Sequence, residues 1–200
     1  RRVRRQSPTQ EAAMVPLMSL WMPILLSAVI VFVASSIVHM VLKYHQNDWE
    51  KLAQEDQVLD ALRPLNIPPG EYIAPKPISM AESKAPAFVE KVKRGPVLAM
   101  TVFPPGEWTM GSRLVQWFLF GVLVSIFAAY VAGRTLPPGS EYLVVMRIAG
   151  TVAFMGYSLA YLPVSIWYNR KWSTTFKNVF DGLIFGLLTG GTFGWLWPAM

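Results

Sequence analysis

Four long apolar segments constrain the fold of this chain more than any other feature. They cover residues 17–42, 114–133, 142–167 and 176–197. Each is close to the roughly 20 residues that a helix needs to cross the hydrocarbon core of a bilayer. The chain is 53% hydrophobic and only 15% charged, which is unusual for a soluble domain of 200 residues. The sequence therefore predicts a helical, multi-pass membrane protein.

The segments divide the chain into four regions. Residues 1–16 form a basic N-terminal tail, and residues 17–42 form the first transmembrane helix. Residues 43–112 form an extramembrane cap, and residues 113–200 hold transmembrane helices two to four. The predicted fold class is an all-α membrane protein with four transmembrane helices and a small α/β cap between the first two.

Local signals predict the elements of the cap. Asn47 with Glu50 three residues later resembles a capping box, which favours a helix over residues 48–63. Pro86 suits the first turn of a second helix that ends at Gly95. Residues 97–103 are prone to form a strand, and residues 71–74 could pair with them.

The distribution of basic residues predicts an orientation. The cap and the turn near residue 170 share one face, and they carry more lysine and arginine than the turn over residues 134–141. By the positive-inside rule, the cap is then cytoplasmic and both termini are external. Four arginines in the tail favour the reverse orientation, but they lie more than ten residues from the first helix.

Small residues recur at every fourth position in two of the predicted helices. In lipid, helices associate through close van der Waals contact, which small residues permit. The fourth helix carries Gly182, Gly186, Gly190 and Gly194, and the second carries Gly121, Ser125, Ala129 and Gly133. We expect the fourth helix to pack closely within the chain, most simply on the second. The alternative is that it docks on a partner subunit, a flat pigment or a lipid.

Charged residues inside membrane segments are candidate functional residues by default. Asp181 lies near the start of the fourth helix, and Arg113 at the start of the second helix shares its face. We expect an interfacial ion pair between Arg113 and Asp181. Lys177, one turn before Asp181, is another candidate partner. Arg147 lies near the opposite face and is expected to extend towards the headgroups, with binding of an anionic lipid as the alternative.

Histidine is the remaining candidate ligand. His39 lies near the end of the first helix and could serve as a single axial ligand to haem iron or to a pigment magnesium. The alternative is an interfacial hydrogen-bonding role. The second histidine, His45, is only six residues away, which does not favour a bis-histidine haem site.

Recognisable catalytic patterns are missing from the sequence. It contains no HExxH, P-loop, GxGxxG or GxSxG pattern and no cysteine, so an enzyme is not predicted. The net charge of +6 comes from basic residues scattered around membrane segments, which favours contact with lipid over nucleic acid.

The chain resembles an uncharacterised family of small bacterial integral membrane proteins. The likeness is carried by three runs, SLWMPILLSAVIVFVASSIVHMVLKYHQNDW, LVQWFLFGVLVSIFAAYVAGRTLPPG and FDGLIFGLLTGGTFGWLWP. It covers most of the chain from Met18 onward and leaves residues 1–17 outside. The resemblance implies this architecture and a location in the bacterial inner membrane, but no catalytic activity.

Two functional hypotheses follow. The first is a non-catalytic accessory or assembly subunit of a larger bacterial membrane complex, with a respiratory or photosynthetic complex as the suggested host. Its partners would be membrane lipids and other membrane protein subunits. The second is a small transporter or lipid-handling protein that uses Arg147 and the cap.

Overall fold

The computed structural model describes residues 14–107 and 109–199. The chain is mostly helical and carries one small antiparallel sheet. The elements in chain order are α1 (Trp21–Met40), α2 (Glu55–Leu62), β1 (Gly70–Ala74), α3 (Met80–Ser83), α4 (Pro86–Arg94), β2 (Leu98–Val102), α5 (Gly111–Thr135), α6 (Tyr142–Ser158), α7 (Tyr161–Tyr168) and α8 (Trp172–Trp195).

Within the described residues, three helical segments are long and apolar enough to cross a membrane. They are Leu17–Met40, Gly111–Thr135 and Tyr142–Tyr168, the last made of α6 and α7 in succession. The fourth predicted segment corresponds to α8, which lies outside this set of three. The reason is its composition, because polar residues such as Lys177, Asn178 and Asp181 occupy its first half and lower its hydropathy.

The chain divides into two compact units, and the smaller one is Glu50–Trp108. Residues 43–49, the first part of the predicted cap, belong to the larger unit, which we call the helical unit. The last residues of the predicted tail also pack on this unit. Val15 is buried, and its backbone N–H donates to the carbonyl of Gly133 at 3.0 Å. Residues 1–13 of the predicted tail lie outside the described residues.

The small unit contains most of the predicted cap elements. β1 and β2 pair antiparallel, with Tyr72 opposite Met100, as the two strand-prone runs predicted. Pro86 begins α4, and Gly95, with a φ of 60°, ends it. The expected helix over residues 48–63 is wrong in its first half, because α2 begins only at Glu55.

The glycine stripe of α8 packs on α6, the third predicted transmembrane helix. A Cβ atom at Gly186 would lie 2.9 Å from the carbonyl oxygen of Gly150, and one at Gly190 would lie 2.5 Å from that of Met146. Gly194 lies similarly close to Tyr142 at the start of α6. Close packing within the chain is thus observed, but the expected partner, the second helix, is wrong. The third and fourth predicted transmembrane segments are consecutive in the chain, and only a short turn separates α7 from α8. In the structure these two consecutive segments pack against each other.

The small-residue stripe of α5 faces α1 and the segment before it. The Ser27 and Ser125 hydroxyls form a buried hydrogen bond of 2.9 Å between α1 and α5. A Cβ at Gly133 would lie 2.7 Å from the carbonyl oxygen of Val15. Hydrogen bonds of this kind join helices where apolar side chains gain nothing by leaving lipid.

Candidate metal centre

A group of ionisable side chains lies at the end of α1, where it meets α8. Six residues form this group, which we call the His–Asp cluster: His39, Tyr44, His45, Asp48, Lys177 and Asp181. His39 is in the last turn of α1, and Lys43–His45 form a short 3-10 turn after it. Lys177 and Asp181 lie one turn apart on α8 and face that turn.

His45 lies between two carboxylates. Its Nδ1 is 2.7 Å from Oδ2 of Asp48, and its Nε2 is 2.8 Å from Oδ2 of Asp181. Carboxylate oxygens only accept, so both ring nitrogens of His45 donate in this arrangement. The Asp181 side chain is 3% exposed and that of Asp48 is 8% exposed. These bonds join the turn after α1 to the first half of α8.

Tyr44 and Lys177 complete the network. The Tyr44 hydroxyl donates to Oδ1 of Asp181, the oxygen that His45 does not use. The Lys177 ammonium donates to Oδ1 of Asp48 at 2.8 Å and to the backbone carbonyl of Tyr44 at 2.5 Å. Each of the two carboxylates thus has two hydrogen-bonding partners, and this makes its burial tolerable.

Burial and hydrogen-bond partners shift the pKa values of Asp48 and Tyr44. Burial raises the pKa of Asp48, but hydrogen bonds from Lys177 and His45 outweigh it, so the pKa lies below its ordinary value. Burial, followed by the hydrogen bond to Asp181, raises the pKa of Tyr44. Tyr44 therefore remains a neutral phenol that donates to Asp181 at physiological pH.

His39 lies beside this network with much of its ring exposed. Its Nδ1 is 2.9 Å from the backbone carbonyl of Ser35, one turn earlier in α1. Since a carbonyl only accepts, Nδ1 donates in this contact, which does not involve Nε2. The rings of His39 and His45 stack, with centroids 4.7 Å apart and planes 9° from parallel. One potential ligand atom from each of His39, His45 and Asp181 lies within 4.8 Å of the other two.

Asp181 and Lys177 meet partners that the sequence did not indicate. The contacts that the structure describes for Asp181 are with His45 and Tyr44. The expected ion pair between Arg113 and Asp181 stays a prediction. Lys177 pairs with Asp48. Arg147 lies elsewhere, in a groove of about 370 Å³ between α6 and α8 that also exposes Leu143, Phe154 and Leu187. The two histidines lie side by side rather than facing each other across a haem-sized gap.

Sequence reasoning missed Tyr44 and Asp48. One local signal points to Asp48 in retrospect. It follows His45 by three residues, close enough for the two side chains to meet across the turn after α1.

The fold defines a helical protein with three segments able to cross a membrane and a buried charged network where α1 meets α8. No family model, curated protein or solved structure matches the chain.

Proposed function

We propose that this chain is a four-crossing integral membrane protein that acts as a non-catalytic subunit of a larger bacterial membrane complex. The observation that carries the proposal is the large number of big apolar side chains on the outward faces of its helices, whose buried polar residues are mostly serine and threonine. In α1, the outward residues recur at every fourth position and are about half exposed: Trp21, Leu25, Val29, Val33 and Ile37. Such a surface is suited to lipid or to another apolar helix.

The outward face of α8 supports a fourth crossing. Four large apolar residues line it at helical spacing: Phe176, Phe180, Leu183 and Leu187. Lys177 and Asp181 point the other way and are neutralised within the chain. The 24 residues of α8 span about 36 Å at 1.5 Å per residue, enough to cross a bilayer core. These internal pairs reduce the energetic cost of placing Lys177 and Asp181 within a membrane-spanning helix.

Cysteine labelling tests the fourth crossing. The natural chain has no cysteine, so single substitutions can be labelled without background. If α8 crosses, Lys171→Cys and Ala199→Cys react with an impermeant maleimide from opposite sides of the membrane. Gln46→Cys serves as control and labels from the same side as Lys171→Cys. Labelling of Lys171→Cys and Ala199→Cys from one side would contradict the fourth crossing. On the positive-inside rule, position 171 is cytoplasmic.

The proposed subunit role is supported by the contrast between internally paired charged groups and unpaired apolar outer faces. The charged groups of the His–Asp cluster bind one another. By contrast, outward apolar faces run along α1, α5 and α8. An accessory subunit needs such faces to pack against neighbouring membrane helices. The host complex we propose is an energy-transducing one of the bacterial inner membrane.

A second candidate function is lipid handling, which the groove at Arg147 favours. Arg147 is exposed there beside apolar residues of α6 and α8. A guanidinium binds phosphate strongly, and an acyl chain would suit the apolar walls. The groove could therefore hold one anionic phospholipid.

Native mass spectrometry of the protein released from its own membrane in nanodiscs separates the two roles. The subunit role predicts fixed partner proteins at whole-number stoichiometry. The lipid role predicts a lone chain, or copies of it, with a retained anionic phospholipid that Arg147→Gln loses. Arg134→Gln is the matched control, since Arg134 lies at the end of α5 away from this groove. A lone chain without partners contradicts the subunit role whatever lipid it carries.

A further inference from the structure

We propose that the His–Asp cluster is a binding site for one divalent transition-metal ion, with His39, His45 and Asp181 as the protein ligands. The inference goes beyond a subunit role and does not depend on it. It rests on the juxtaposition of three suitable donors, each with a potential ligand atom within 4.8 Å of the others, at the junction of α1 and α8.

The donor set has the chemistry of a transition-metal site. Two imidazole nitrogens and one carboxylate oxygen suit Zn²⁺ and Fe²⁺, whereas Ca²⁺ and Mg²⁺ prefer oxygen donors alone. Three protein ligands also leave at least one position for water or another ligand. Because the sequence has no cysteine, thiolate ligands make no contribution.

A second group hydrogen-bonds each ligand and orients it. Nδ1 of His45 donates to Asp48 at 2.7 Å, and Nδ1 of His39 donates to the Ser35 carbonyl at 2.9 Å. The free oxygen of Asp181 accepts from Tyr44. Metal-binding histidines commonly donate their second N–H to a carboxylate or a backbone carbonyl, which fixes the tautomer and orients the ring. The cluster shows both arrangements.

Lys177 holds the Asp48 carboxylate in the position from which it binds Nδ1 of His45. Its ammonium binds the Asp48 oxygen that His45 does not use. This contact directs the other oxygen of Asp48 at Nδ1 of His45. Asp48 therefore acts as a positioning residue for His45, and its effect on metal affinity is transmitted through the imidazole.

Metal binding requires two small changes. The 2.8 Å contact between Nε2 of His45 and Oδ2 of Asp181 contains a proton, which the metal replaces and which passes to solvent. Ligand atoms about 2.0–2.1 Å from a tetrahedral ion lie roughly 3.3 Å apart, so this contact must open by about half an ångström. The stacked rings of His39 and His45 must also shift relative to each other so that a nitrogen of each faces the ion. The exposed position of His39 leaves room for that shift.

Zinc titration of the full-length chain tests the proposal. The protein is purified in detergent without a histidine tag and stripped with chelator, and Zn²⁺ binding is measured by competition with a chromophoric chelator. We expect one equivalent to bind. Co²⁺ should give visible d–d absorption bands that Zn²⁺ displaces. His39→Ala should weaken Zn²⁺ binding at least about tenfold, and Asp48→Asn about 10- to 100-fold.

Gln46→Ala is the matched control, because Gln46 is exposed beside His45 and should leave the affinity unchanged. Asp181→Asn removes a buried ligand and could also unfold the chain. The exposed His39 therefore carries the test, with unchanged circular dichroism as the check on folding. The proposal is overturned if the wild-type chain binds no Zn²⁺. It is equally overturned if His39→Ala and Asp48→Asn both bind Zn²⁺ as tightly as the wild type, which would mean that the metal sits elsewhere.

Discussion

Replacing Gly186 and Gly190 together with leucine is expected to prevent the chain from folding stably. A Cβ at Gly190 would lie 2.5 Å from the carbonyl oxygen of Met146 and 2.8 Å from Cα of Gly150. These are backbone atoms, so no rotamer change on α6 relieves the overlap. Overpacking costs about 1–3 kcal/mol per site and sometimes more, so two sites can consume most of the stability of a domain. Thermal unfolding in detergent, followed by circular dichroism, measures the effect.

Alanine variants provide the control for this prediction. Gly190→Ala should lower the unfolding temperature clearly. Gly191→Ala, at the next residue of α8, should change it little, because its Cβ would meet only the Tyr142 hydroxyl, at 3.2 Å. That hydroxyl is the end of a flexible side chain and can move. Equal melting temperatures for the two alanine variants, or normal folding of the double leucine variant, would show that α6 and α8 do not pack this closely.

Asp181→Ala is expected to destabilise the metal-free protein by roughly 3 kcal/mol, the usual scale for breaking a buried ion pair. Asp181 is 2% exposed and accepts from both His45 and Tyr44. Its removal leaves two buried donors without their acceptor and breaks the link between α1 and α8. The measurement is the midpoint of chemical unfolding in detergent, with a chelator present so that bound metal makes no contribution.

Glu141→Ala is the control for the loss of a carboxylate. Glu141 is exposed at the start of α6, and its side chain makes no capping hydrogen bond. The control should therefore stay within about 0.5 kcal/mol of the wild type. If the two variants unfold at the same denaturant concentration, the Asp181 network does not stabilise the helical unit.

Structural features that depend on residues close together in the chain could be predicted from the sequence. Apolar length predicted the three helical segments able to cross a membrane, because a helix in lipid must satisfy its own backbone and present apolar side chains. Pro86 and Gly95 predicted the ends of α4 through their backbone preferences. The two strand-prone runs predicted β1 and β2. The small-residue stripes predicted close contact, which depends only on the absence of side-chain bulk.

Only the tertiary structure decided which surfaces and charges meet. A glycine stripe permits close approach by any helix and does not name one, so α6 rather than α5 lies against Gly186 and Gly190. Likewise, a charge attracts every opposite charge within reach, and distance in space selects among them. Asp181 meets His45 and Tyr44, which precede it by more than 130 residues. The sequence by itself determined what each segment can do, while the packing of α1 against α8 determined that two histidines and a carboxylate share one site.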